Sequence, residues 1–84
     1  MERFITKEEK IKTIFIPEIM QGIRKLVLTP SHNYDGKFNV MAYTEEELDL
    51  NEDALLVTKE ILQKYYDNDA VHYRENVELF LKYL

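Results

Sequence analysis

Eighty-four residues with sixteen acidic and eleven basic side chains, a net charge of −5 and no cysteine describe one small acidic domain, residues 1–84. A chain of this length buries only about 60–65% of the surface its unfolded form exposes, and about 0.05–0.15 kcal/mol per residue gives a net stability on the order of 4–12 kcal/mol. The missing cysteine rules out disulfides, thiolate zinc sites and cysteine nucleophiles, while an apolar content of 45% is that of a globular chain rather than a disordered one.

The first twelve residues, MERFITKEEKIK, carry charge where a secretory leader needs an apolar run, and no uninterrupted apolar stretch of the chain could span a bilayer. A soluble, cytoplasmic protein is the expectation. Thr6 to Glu9, TKEE, fits a helix cap, and Ile11, Ile14 and Phe15 would share one face of a short helix over 7–13 that Pro17 ends. The β-branched run IKTIFI offers a third strand as the alternative. Gly22 marks the next change of direction.

IRKLVLT and KFNVMAY alternate with period two, and Asp35-Gly36 between them is a turn signal. An antiparallel hairpin over 23–29 and 37–43 follows. Both faces of each strand carry apolar side chains, so cover on more than one side is expected. After Tyr43 the spacing turns helical. Thr44, Asp49 and Asn51 compete as starts, and Leu50, Ala54, Val57, Ile61 and Tyr65 form a stripe flanked by Leu55, Leu62 and Tyr66. Ala70, Tyr73, Val77, Phe80, Leu81 and Leu84 form a second stripe. Helices over 50–66 and 70–83, joined at Asp67-Asn68-Asp69, make an antiparallel helical hairpin. The fold class is therefore α+β: one β-hairpin packed with a C-terminal helical hairpin.

Candidate chemistry is sparse. Asp49 to Glu60, DLNEDALLVTKE, resembles an EF-hand calcium loop at all but one position. That resemblance implies Asp49, Asn51 and Asp53 as ligands at loop positions 1, 3 and 5, the Leu55 carbonyl at 7 and Glu60 at 12. Ala54, however, stands where the loop needs glycine, and an unbroken helical stripe from Leu50 would make the stretch a helix start with redundant caps. SHNYDGKFNVMA (residues 31–42) resembles the loop too, without an acid at either end, and is better explained as a turn entering a strand. His32 and His72 are too few for a structural zinc site. A single serine, Ser31, and the absence of a nucleophile elbow or phosphate loop argue against an enzyme. No cofactor is expected.

Charge is segregated: residues 1–44 hold seven basic against five acidic side chains, and residues 45–84 hold four against eleven. The acidic half repels phosphates and suits a basic protein partner. Tyr65, Tyr66, Tyr73 and Tyr83 load that half with rings of the kind enriched at interfaces. A non-enzymatic protein–protein interaction module, a small regulator or inhibitor, is the leading expectation, with Glu52, Leu56, Lys59, Glu60, Tyr66, Tyr73 and Tyr83 as partner-binding residues. Homodimerisation would supplement the small core. The alternative is nucleic-acid binding through Lys10, Lys12, Arg24, Lys25 and Lys37, and calcium binding at 49–60 is the remote one.

Overall fold

The computed structural model describes residues 4–33 and 35–84; Met1 to Arg3 of the charged N-terminus and Tyr34 of the hairpin turn lie outside the described residues. The first helix, α1, runs over residues 7–20. Thr6 caps it, with its hydroxyl accepting from the Glu9 amide at 3.1 Å. Pro17 does not end it. The helix is α over Lys7–Lys10, π over Ile11–Phe15 and α again over Ile16–Met20. A proline at 17 cannot donate to the carbonyl four residues back, and its ring crowds that carbonyl. The wider π turn removes the conflict: the Ile16 amide bonds the Ile11 carbonyl, and Pro17 falls in the first turn of the following α segment, where a missing N–H costs little. Gly22 (φ +79°) then reverses the chain, and the Glu18 carbonyl accepts from both Ile23 and Arg24.

The expected hairpin is present. Strand β1 (Lys25–Pro30) pairs antiparallel with β2 (Phe38–Tyr43), from Lys25 opposite Tyr43 to Pro30 opposite Phe38. A third strand exists, but after the hairpin rather than before it. The two-residue β3 (Leu55–Leu56) pairs antiparallel with β1 at Leu28 and Val27, giving the order β2-β1-β3.

The helix expected over 50–66 is two helices with β3 between them. Helix α2 (Glu45–Leu50) starts at Thr44 with a complete capping box, Thr44 receiving the Glu47 amide and Glu47 receiving the Thr44 amide. Asn51 ends it, its side chain donating to the Glu47 carbonyl at 2.7 Å. Helix α3 (Lys59–Asp67) begins anew at Thr58, whose hydroxyl accepts from Ile61. Leu50 and Ala54 therefore leave the stripe, and Leu62, fully buried, replaces Ile61 at its centre. Helix α4 (Arg74–Tyr83) starts four residues later than expected, because Val71 bridges Phe38 and Tyr73 turns left-handed at φ 56°.

The core lies between the sheet face formed by Leu26, Leu28, Val40 and Ala42 and the three long helices. Ile11 and Ile16 come from α1, Leu62 from α3, and Val77 and Phe80 from α4. Val27 points to the opposite face and is also fully buried, yet stands outside that cluster. The second face is crossed by the segment after β2: Thr29, Asn39 and Tyr43 share a groove with residues 49–54. Both sheet faces are thus covered, as the apolar residues on both sides of β1 require. No helix among the described residues is long and apolar enough to cross a membrane.

Candidate functional site

The seven residues expected to bind a partner fall in several places. No hydrogen bond, ion pair or ring contact joins one of them to another among the described residues. Leu56 and Lys59 come together, lining a shallow groove of about 380 Å³ with Ile19, Lys25, Val57 and Leu84. Glu60 follows in the exposed first turn of α3. Glu52 lies in the turn across the second sheet face, beside Asp49 and Asp53.

The tyrosines are tied into the fold. Tyr66 donates its phenol to Glu78 at 2.7 Å, and the Arg74 guanidinium stacks 4.1 Å from its ring centroid. Tyr83 donates to Glu8 at 2.6 Å, which anchors α4 to α1. That bond, followed by the one from Lys82, holds the Glu8 carboxyl below its ordinary range. Tyr73 stacks on His72 with centroids 4.0 Å apart and is 55% exposed. A bulky residue in the left-handed region is an outlier. Here it lets the chain leave the edge of β2 and enter α4 at once.

The basic residues of the N-terminal half divide in the same way. Arg24 is a hub: Nε bonds Glu18, Nη1 bonds the Ala42 carbonyl at 3.0 Å and Glu47 at 3.2 Å, and the guanidinium lies 5.2 Å from the Phe15 ring centroid. Lys37 faces Asp69 at 3.6 Å. Lys10 sits over Phe15 and Lys12 over Tyr83. Two of the five cations named for nucleic acid are therefore paired with carboxylates inside the fold.

The segment 49–60 is not the continuous helix expected. It passes from the end of α2 through a turn and β3 into α3. The glycine position of the loop pattern needs a left-handed backbone, but the left-handed non-glycine residues described are Asp69 and Tyr73, not Ala54. Among the described residues no three acidic or histidine side chains converge as a metal site.

What sequence reasoning missed lies at the sheet edges. The β3 edge exposes Leu55 (42%) and Leu56 (58%), consecutive strand residues on opposite faces of the sheet. At the other edge, a groove of about 670 Å³ separates β2 from α1 and α4. Only strand order exposes these features, and strand order is not written in local periodicity. Comparison with protein-family models, curated proteins and solved structures finds no match for this chain. Function must be read from its own geometry.

Proposed function

We propose that the protein is a non-enzymatic protein–protein interaction module whose contact surface is the β3 edge at Leu55 and Leu56, with Lys59 and Glu60 following it in the chain. The observation that supports this is the pair of leucines at the β3 edge. Natural sheets blunt their edges with charge, proline or cover, whereas here two consecutive leucines stand 42% and 58% exposed at one. Their neighbours Val57 and Leu84 extend the apolar lining, and Lys25, Lys59 and Glu60 supply a charged rim, the composition of a small interface. A cytoplasmic setting belongs to the proposal, and the lack of cysteine fits a reducing compartment. Imaging the tagged chain in its own cells tests the setting.

A photo-crosslinking residue at position 56 tests the surface. The expected result is a discrete adduct with a second polypeptide in native extract, absent when the crosslinker replaces exposed Glu46 and reduced by Leu55→Asp. Equal labelling at 46 and 56, or none at 56, would sink the proposal. A homodimeric adduct in purified protein identifies a second copy as the partner.

A further inference from the structure

The opposite edge of the sheet carries a second, independent surface. Phe38 turns both of its backbone groups away from β1: its amide donates to the Ala70 carbonyl at 3.0 Å, and its carbonyl accepts from His72 at 2.8 Å. Pro30, opposite Phe38 in β1, has no N–H to offer, and one residue earlier the Lys37 carbonyl accepts from Ser31. Antiparallel strands alternate in this respect. Asn39, Met41 and Tyr43 therefore bond β1, while Val40 and Ala42 aim their amides and carbonyls outward. The Ala42 carbonyl receives Arg24. Among the described residues the Val40 amide, the Val40 carbonyl and the Ala42 amide have no hydrogen-bond partner.

The protein begins to fill this edge itself. Residues 70–72 lie along it in parallel at Phe38, then leave through the left-handed turn at Tyr73. Where they leave, the groove begins. Its apolar lining includes Ile11, Ile14 and Phe15 of the π segment, Met41, and Phe80 of α4. A π segment lining a groove is a recurrent mark of a functional site.

Charge selects the occupant. Lys7 and Lys10 line the groove and are exposed, with their ammonium groups 5.8 Å over the Tyr73 ring and 5.2 Å over the Phe15 ring. Neither has a carboxylate partner among the described residues. Glu47, the carboxylate in the lining, is engaged by Thr44 and Arg24. We propose that the free edge of β2 at residues 40–42 binds an extended, acidic segment of a partner protein as an added strand. Main-chain bonds to Val40 and Ala42 supply affinity, apolar side chains of the segment meet the half-buried Ile14 and Phe15, and its carboxylates meet Lys7 and Lys10.

The test uses a dye-labelled decapeptide of alternating valine and glutamate against the full chain, read by fluorescence anisotropy and by amide exchange. Binding is expected with slowed exchange at the Val40 and Ala42 amides, and a valine–lysine decapeptide should not bind. The double variant Lys7→Glu/Lys10→Glu, changed at exposed positions, should weaken binding about tenfold or more. Three outcomes overturn the proposal. One is no binding of the valine–glutamate peptide, or binding without protection at 40 and 42. Another is equal binding of oligoglutamate or a short oligonucleotide, which would show that the site reads charge alone. The third is protection of the same amides in concentrated protein without peptide, which would make a second copy the occupant.

Discussion

Arg24 and Lys25 are adjacent cations of equal charge, and the structure separates them sharply. Arg24 is half-buried and touches three elements, Glu18 of α1, the Ala42 carbonyl of β2 and Glu47 of α2, besides lying against Phe15. Lys25 is exposed. Truncation by Arg24→Ala removes a charge-assisted bond to a buried carbonyl, at about 1.5–3 kcal/mol. It also removes a stacking contact of about 0.5–1 kcal/mol. The Glu18 and Glu47 pairs, whose acids are 31% and 44% exposed, add a screened contribution of about 0–1 kcal/mol each. These contributions overlap, so about 2–4 kcal/mol is expected in total. For a domain of this size each kcal/mol moves the melting temperature by about 4–8 °C, so a fall of roughly 8–32 °C should appear in a thermal melt followed by circular dichroism. Arg24→Lys should recover only part of it, because an ammonium cannot reproduce the planar fork. Lys25→Ala should stay within about 0.5 kcal/mol of the parent. If Arg24→Ala melted within 2 °C of the parent, or no lower than Lys25→Ala, the hub would be a contact without energetic weight. The same result bears on nucleic-acid binding. A charge reversal at Arg24 destabilises the fold as well as altering the surface, so Lys25→Glu is the cleaner report on phosphate contact.

Two further outcomes are expected. Leu62→Ala should cost about 2–5 kcal/mol in urea denaturation, since the side chain is fully buried, whereas Ile61→Ala, 38% exposed, should cost about 1 kcal/mol or less; equal effects would mean that α3 is rotated from the orientation described. Acid should destabilise the parent more steeply than Glu47→Gln. The Glu47 carboxyl is held below its ordinary value of 4.5, first by the Thr44 amide, then by the Thr44 hydroxyl and by Arg24. A depressed folded pKa contributes stability above the unfolded value that is lost as pH falls through the folded one, so the two curves should converge below pH 4.5, and parallel curves would remove Glu47 from the account.

Much of the architecture was legible in the sequence because it is local. The period-two runs and Asp35-Gly36 produced the hairpin within two residues of its observed ends, and TKEE produced the first cap. Helix, not strand, was the right side of the ambiguity at 7–13, although a π turn carried it past Pro17. The failures share one cause. DLNEDALLVTKE has helical spacing from Leu50 onward, but Leu55 and Leu56 gain bonds to β1, and Val57 donates to Leu26 at 3.0 Å. These partners lie 27 to 31 residues away, and no window of periodicity contains them. Once they form, the stretch must be extended at 55–56, Asn51 must close one helix and Thr58 open another, and α3 turns Leu62 inward in place of Ile61. The candidate sites follow the same logic one step further. Leu56 stands close in sequence to Glu52, Lys59 and Glu60, which is a local fact. That it stands on a sheet edge, and that β2 is the other edge, depends on strand order. An edge is defined by the strand that does not come next. The surfaces most open to a partner are therefore those that local pattern is least able to reveal.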